Sequence, residues 1–167
     1  MSQQKLVKVG IIGGGLMGRE LLALVGRWDA LLEHPVRPVI TAIADTSDAV
    51  REFFTNAGVT ESYSDYKELL VSANVDVVYI AVPHNLHEEI YIATINAGKD
   101  FLGEKPFGID LAAAEKITAA LVGKSNFVRV SSELPFYPGA QAAIREARSG
   151  NLGRQFALAC RQFVIPY

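Results

Sequence analysis

Residues 5–18 read KLVKVGIIGGGLMG, an apolar run that leads into a cluster of glycines. Valine and isoleucine dominate the run, which predicts a buried strand, and residues 16–32 repeat leucine and valine at helical spacing. Gly13, Gly15 and Gly18 therefore lie between a strand and a helix, in the pattern Gly-x-Gly-x-x-Gly. This placement makes the segment a candidate phosphate-binding turn.

Each glycine of the pattern has a physical role. Gly13 permits a tight turn, Gly15 lets the main chain approach a pyrophosphate, and Gly18 lets the helix pack closely on the sheet. The helix begins at Leu16 and Met17, where unpaired N–H groups and the positive end of the helix dipole favour an anion. We therefore expect this turn to hold the phosphates of a dinucleotide. The alternative is a glycine-rich turn that binds nothing.

The rest of the chain alternates strand-like and helix-like segments. Further strands are predicted at residues 39–44, 62–63, 75–82, 99–103 and 127–131. Ser47, Asp65 and Asp110 are predicted to cap three of the helices between them. Short apolar strands joined by helices predict an α/β fold, a doubly wound parallel sheet that is covered on both faces.

The pattern changes near the end of the chain. Strand–helix alternation stops at residues 149–153, and residues 153–165 alternate as a single long strand. We therefore predict a dinucleotide-binding domain at residues 1–150 and the first strand of a second, truncated domain at residues 151–167. A strand without a partner exposes its edge, so if the chain is complete we expect this strand to pair with its copy in a homo-oligomer.

Composition excludes several classes of partner. Half of the 167 residues are hydrophobic and a fifth are charged, as in ordinary globular proteins. The net charge of −2 provides no basic face for nucleic acid, and no stretch approaches the roughly 18 apolar residues of a membrane span. Cys160 is the single cysteine, which fits a reducing cytoplasm, and no Cys/His spacing predicts a metal site. We expect a cytoplasmic protein.

An acidic residue accompanies this glycine pattern at the end of the second strand. Asp45, followed by Thr46, has that position, and residues 33–38 with their two prolines are the predicted insertion before it. A carboxylate there can accept both ribose hydroxyls and repels a 2′-phosphate, which favours NAD over NADP. Arg51 is close enough in sequence to keep NADP as the alternative. Asp45 could also act only as a helix cap.

Polar side chains follow three more predicted strands. They lie in residues 82–87 (VPHNLH), 103–106 (GEKP) and 133–138 (ELPFYP). The carboxyl ends of parallel strands converge on the ligand crevice of a doubly wound sheet. Two histidines, a lysine and a glutamate at these positions suit a polar reaction site.

In this order of motifs the sequence resembles the Gfo/Idh/MocA family, the glucose–fructose oxidoreductase and inositol dehydrogenase group. The resemblance runs from Lys5 to the end of the chain and includes the glycine turn, Asp45, DYKELL at 65–70, DVVYIAVP at 76–83 and EKP at 104–106. It implies a Rossmann domain followed by an α+β substrate domain. The implied reaction is hydride transfer between nicotinamide and a small-molecule sugar, cyclitol or related hydroxy compound.

The resemblance also implies roles for individual residues. Lys105 is expected to contact the substrate and to be catalytic, because an ammonium beside the reacting hydroxyl stabilises developing negative charge. Glu104 and Lys105 are both expected to contact the cofactor, Glu104 for instance at the nicotinamide ribose, with a cis bond between Lys105 and Pro106. The loop expected against the nicotinamide half contributes Val82, Pro83, Asn85 and His87.

Two features depart from the family pattern. Family members are longer, and their general base, often a histidine, lies in the second domain, so we expect it beyond Tyr167. An Arg-Phe pair is usual after the sixth strand, where this chain has Pro135-Phe136. We therefore expect this chain by itself to bind cofactor with little or no turnover. The alternative function is a non-catalytic dinucleotide-binding module or sensor, and an unrelated flavodoxin-like fold would leave the glycine turn and Asp45 unexplained.

Overall fold

The computed structural model describes residues 5–31 and 35–153, and it does not describe the side chain of residue 134. The chain divides into two compact units between Ser131 and Ser132. The first unit contains the sheet, and the second contains a short 3-10 helix at Leu134–Phe136 and the helix Pro138–Ser149. The domain boundary predicted at residue 150 stays a prediction, and all but the first residue of the strand predicted at 153–165 lies outside the described residues.

Six strands form one sheet in the first unit. They are β1 (Lys5–Ile12), β2 (Val36–Ala44), β3 (Glu61–Tyr63), β4 (Val77–Ile80), β5 (Asp100–Gly103) and β6 (Val128–Val130). Their order is β3-β2-β1-β4-β5-β6, and all neighbouring strands are parallel. This confirms the predicted doubly wound α/β fold. The strand order reverses direction between β1 and β4, the place where such folds form their ligand crevice.

Five helices of the first unit connect the strands. They are α1 (Leu16–Gly26), α2 (Asp48–Asn56), α3 (Tyr66–Val71), α4 (His87–Asn96) and α5 (Leu111–Ala120). The three predicted caps are confirmed, because the side chains of Ser47, Asp65 and Asp110 accept hydrogen bonds from first-turn amides of α2, α3 and α5. Each such cap satisfies one amide that the helix itself leaves unpaired.

Apolar side chains cover both faces of the sheet. Val78 and Ile80 of β4 belong to a core with the helices α3, α4 and α5, whereas Tyr79 between them belongs to a second core with α2 and part of α1. This alternation is the period of two that a strand imposes on its side chains. Each fully buried aliphatic side chain of these cores stabilises the fold by about 1.5–3 kcal/mol.

Two predicted boundaries were wrong around the prolines. The first helix ends at Gly26 rather than near residue 32, and a 3-10 turn at Trp28–Ala30 follows it. The Trp28 indole N–H donates to the main-chain oxygen of Val36 over 2.8 Å, which ties this turn to β2. Strand β2 begins at Val36 rather than at residue 39, so Val36–Pro38 of the predicted insertion are part of this strand.

Pro38 fits inside β2 because of the length of the neighbouring strand. β3 pairs only with Ala42–Ala44, so Pro38 is paired on the β1 side alone, with Val7. A proline cannot donate to a sheet hydrogen bond and is tolerated where one side of a strand is open. The sequence pattern did not indicate this, because the length of β3 is a property of the assembled sheet.

Candidate functional site

The glycine turn joins the end of β1 to the start of α1. Gly13 has φ +91°, a conformation that favours glycine, and its amide donates to the main-chain oxygen of Ala44 over 2.9 Å. A side chain at Gly13 would collide with the carbonyl of Ala81, and one at Gly18 would collide with the carbonyl of Gly13. The turn therefore packs tightly against the ends of β2 and β4.

The outer side of the same turn is open. Gly15 is the N-terminal cap of α1 and makes no side-chain hydrogen bond to the amides of that helix end, and a Cβ at Gly15 would have no heavy atom of the described residues within 4 Å. Leu16 is exposed, whereas Gly18 is buried and contributes packing. The amides of the first turn of α1 thus carry the positive end of the helix dipole into open space.

A cavity of about 620 Å³ adjoins this turn, which is an ordinary size for a small-molecule site. Predicted site residues that line it are Gly13, Gly15, Asp45, Thr46, Val82 and Pro83. The ends of β1, β2 and β4 therefore meet at one crevice, as the strand-end argument predicts. Asn85 instead lines a second groove along α4, together with Glu88.

The carboxylate of Asp45 is held by two main-chain amides. Oδ2 accepts from the Gly14 amide over 2.8 Å, and Oδ1 accepts from the Ser47 amide over 2.9 Å. The Arg51 guanidinium donates to the main-chain oxygen of Asp45 over 2.6 Å and also pairs with Asp48. Asp45 therefore presents a fixed negative charge to the cavity, while the charge of Arg51 is already engaged.

Tyr66 and Glu89 also line the cavity and were not among the predicted site residues. The Tyr66 hydroxyl donates to Glu89 Oε1 over 2.7 Å, and burial together with this carboxylate raises the pKa of Tyr66 to about 12. Tyr66 stands in the DYKELL segment, but nothing in the sequence pairs it with a glutamate 23 positions away. The cavity is thus lined by three acidic residues, Asp45, Asp65 and Glu89.

The lysine segment follows β5. Lys105 is exposed, and its bond to Pro106 is cis, as the resemblance predicts. Glu104 is 7% exposed, and its Oε1 accepts a 2.6 Å hydrogen bond from the hydroxyl of Tyr79. The structure thus directs the glutamate carboxylate into the fold while leaving the lysine at the surface.

His87 is fully buried at the start of α4. Its Nδ1 lies 2.7 Å from the main-chain oxygen of Pro106, and its Nε2 lies 3.1 Å from that of Val82. The ring stacks on Tyr91, with the two ring centres 4.9 Å apart. In this arrangement the imidazole has no exposed surface to offer a ligand, in contrast with the cofactor contact expected from the sequence.

Metal binding and membrane insertion receive no support from the described residues. Within residues 5–31 and 35–153, no three His, Cys, Asp or Glu side chains form a group that could hold a metal ion. None of the helices that the structure describes has the length and apolar character needed to span a bilayer.

Comparison with known proteins gives clear relatives. Trans-1,2-dihydrobenzene-1,2-diol dehydrogenase of Bos taurus is 29% identical over 144 residues, 86% of this chain and 42% of that protein. D-xylose 1-dehydrogenase (NADP(+)) of Hypocrea jecorina is 33% identical over 127 residues, 72% of this chain and 32% of that protein. Levoglucosan dehydrogenase in complex with NADH aligns with a TM-score of 0.81 and 28% identity, over 90% of this chain and 41% of that one.

The chain thus spans about two fifths or less of the length of these relatives. The family model described as an oxidoreductase family with an NAD-binding Rossmann fold matches residues 7–132, which contain the whole sheet except the first two residues of β1. Because this match covers most of the chain and the strand order agrees with it, the chain belongs to the Gfo/Idh/MocA oxidoreductase family, as a Rossmann domain that binds NAD.

Proposed function

We propose that this chain is the cofactor-binding part of an NAD(P)-dependent oxidoreductase that acts on a sugar, cyclitol or related polyol. One observation carries the proposal. Ile12, Ile80 and Gly103, the last residues of β1, β4 and β5, are aligned in register. The glycine turn and Lys105 therefore both follow the C-terminal ends of strands on the same side of the sheet. The ends of β1 and β5 are separated by two interstrand spacings, or about 10 Å.

The residues of the cavity fit a dinucleotide. The uncapped start of α1 and the open space beside Gly15 suit a pyrophosphate, which needs amide donors and close approach of the main chain. Asp45 is fixed at the end of β2, where its carboxylate can accept ribose hydroxyls. Val82 and Pro83, which follow β4, line the same cavity.

Bound nicotinamide supplies the hydride acceptor for oxidation of a secondary alcohol. This chain's contribution is the ammonium of Lys105, which offsets negative charge that develops on the substrate oxygen as its proton leaves. The C–H bond gives up a hydride and the O–H bond gives up a proton, so a base must accept that proton. The resemblance to the family implies that such a base, often a histidine, belongs to a substrate domain.

Names of relatives support the substrate class. The matched proteins include a D-xylose dehydrogenase and a levoglucosan dehydrogenase solved with levoglucosan. Both names refer to compounds that carry several hydroxyl groups. A polyhydroxylated substrate is therefore the first class to test.

Two measurements test the proposal. Titration of the 167-residue chain with NADH, followed by fluorescence, measures cofactor binding. Oxidation of D-xylose, levoglucosan and scyllo-inositol with NAD⁺ or NADP⁺ is assayed with the protein expressed from its whole gene. Lys105→Ala is compared with Lys124→Ala, because both lysines are exposed and Lys124 lies beyond the end of α5.

We expect Lys105→Ala to lose turnover by at least about 100-fold, the usual scale for a group that acts on the transition state, while NADH affinity is kept. Lys124→Ala should match the wild type in both assays. Undiminished turnover in Lys105→Ala would remove this lysine from the mechanism. NADH binding without turnover of any polyol would favour a dinucleotide-binding module.

A further inference from the structure

Three buried polar side chains surround the main chain on either side of Lys105. They are Tyr79 of β4 and His87 and Tyr91 of α4, which are 5%, 0% and 0% exposed. None of them lines the cavity. Buried polar groups are costly unless they are hydrogen-bonded, so the partners of these three residues indicate what they do.

Tyr91 holds the main chain just before the lysine. Its hydroxyl donates to the main-chain oxygen of Glu104 over 2.6 Å. Its ring is packed between His87 and Phe101, with ring centres 4.9 and 4.8 Å away. A side chain on Gly103 would collide with the Tyr91 hydroxyl, so glycine at 103 is what allows this hydrogen bond.

Tyr79 holds the side chain of the same glutamate from the opposite face of the sheet. Its hydroxyl donates to Glu104 Oε1 over 2.6 Å. Burial is the main cause that raises the pKa of both Tyr79 and Tyr91, so both phenols stay protonated donors. Glu104 is thus held at its main chain and at its carboxylate by two different elements.

His87 holds the main chain just after the lysine. Its two ring nitrogens lie within hydrogen-bond distance of Pro106 O and Val82 O. A neutral imidazole donates to one carbonyl oxygen and a protonated imidazole to both. The ring therefore lies between the turn after β4, which borders the cavity, and the turn after β5, which carries Lys105.

We propose that Tyr79, His87 and Tyr91 are positioning residues that fix Glu104 and Pro106 and thereby aim Lys105 at the nicotinamide end of the crevice. This inference rests on the proposed function. The main chain is held on both sides of the lysine, whereas the lysine side chain itself is exposed. A lysine whose ammonium must meet a substrate oxygen at one place needs a main chain that is held fixed on both sides of it.

The test measures the NMR signal of the Lys105 side chain. Lysines of the 167-residue chain are dimethylated with ¹³C-formaldehyde, which keeps their charge, and the Lys105 methyl signal is assigned with Lys105→Arg. NADH and ADP-ribose are then titrated separately. Both ligands contain the adenine, ribose and pyrophosphate groups, but only NADH contains nicotinamide. In the wild type we expect NADH to shift the Lys105 signal and ADP-ribose to leave it unchanged.

Two variants each remove one hydroxyl. In Tyr91→Phe and Tyr79→Phe we expect the NADH-induced shift to fall by half or more, with ADP-ribose affinity within about twofold of the wild type because the glycine turn is untouched. Tyr63→Phe is the matched control, since its hydroxyl donates to Glu61 on β3, away from the lysine segment. Retained ADP-ribose affinity shows that a variant is folded.

The outcomes are distinct. Loss of the NADH-induced shift in either variant, with ADP-ribose affinity kept, supports the positioning role. A shift of wild-type size in both variants overturns it. Loss of ADP-ribose affinity together with the shift also overturns it, because the effect is then not local to the lysine. A wild-type signal that does not respond to NADH refutes the place given to Lys105 in the proposed function.

Discussion

The amide of Gly14 donates a 2.8 Å hydrogen bond to the carboxylate of Asp45, across 31 positions of sequence. This bond joins the turn after β1 to the residue after β2. Both features of the dinucleotide pattern are therefore parts of one rigid unit. A ligand held by the turn meets a carboxylate whose direction is already set.

Asp45→Asn is expected to change cofactor preference. The amide keeps the size of the carboxylate but loses its charge, so repulsion of a 2′-phosphate falls. We expect about a tenfold weaker affinity for NADH and a smaller ratio of NADH to NADPH affinity, since a hydrogen bond to a charged group contributes about 1.5–3 kcal/mol. Fluorescence titration with both cofactors measures this.

The control for this variant is Asp29→Asn. Asp29 is an exposed carboxylate in the 3-10 turn after α1, paired with Arg37 over 3.0 Å. Loss of the Asp29 charge should leave the affinities for NADH and NADPH unchanged. An Asp45→Asn protein that kept the wild-type ratio of affinities would show that Asp45 acts as a cap of the α2 region and not in cofactor choice.

Gly15→Ala is expected to separate binding from folding. Gly15 has φ −64° and ψ −153°, an extended conformation, and a methyl group there would have none of the described atoms within 4 Å. The free energy of unfolding should therefore stay within about 1 kcal/mol of the wild type. The methyl group would occupy the space of the approaching pyrophosphate, so we expect NADH affinity to fall by about tenfold or more.

Gly26→Ala is the matched control for Gly15→Ala. Gly26 is the last residue of α1 and also has open space at its Cβ position. It should change neither stability nor NADH affinity appreciably. Urea unfolding and fluorescence titration measure the two quantities. Equal NADH affinity in Gly15→Ala and Gly26→Ala would argue against a phosphate at this end of α1.

We expect ionisation of Tyr66 to lower the free energy of unfolding at high pH. Burial and the neighbouring Glu89 raise its pKa in the folded chain from an ordinary value near 10 to about 12. The folded state therefore binds the phenolic proton more tightly than the unfolded state. Its contribution is fully present below pH 10 and is lost as the pH rises towards 12.

Urea unfolding between pH 9 and pH 11 tests this. Tyr66→Phe removes the titrating phenol, so we expect the free energy of unfolding to decline less steeply with pH above about 10 than in the wild type. The pKa values of Tyr79 and Tyr91 are also raised, so these two residues still cause part of the decline in the free energy of unfolding in both proteins. Identical slopes for wild type and Tyr66→Phe would contradict the raised pKa.

Local features of the fold were predictable from the sequence. The glycine turn, the caps at Ser47, Asp65 and Asp110, and the alternation of strands with helices depend on residues close together in the chain. Such features follow from backbone conformation, short-range hydrogen bonds and hydrophobic period. The parallel sheet then follows from the helical connections, because a short loop cannot join parallel neighbours.

The candidate site was only partly predictable. Six of the predicted residues line the cavity because strand ends converge in any doubly wound sheet. His87 was expected at the cofactor, but the structure buries it between two carbonyl oxygens. Burial depends on which elements pack above a residue, and the motif VPHNLH at residues 82–87 does not contain that information.

The sequence by itself determined that this protein has a glycine turn between a strand and a helix, with an acidic residue after the next long strand and a lysine after a later one. These are local facts of order and spacing. Only the tertiary structure decided that Tyr79, 25 positions before Glu104, donates to its carboxylate, and that Tyr66 donates to Glu89. Contacts between distant residues depend on strand register and helix packing, which form only when the whole sheet assembles.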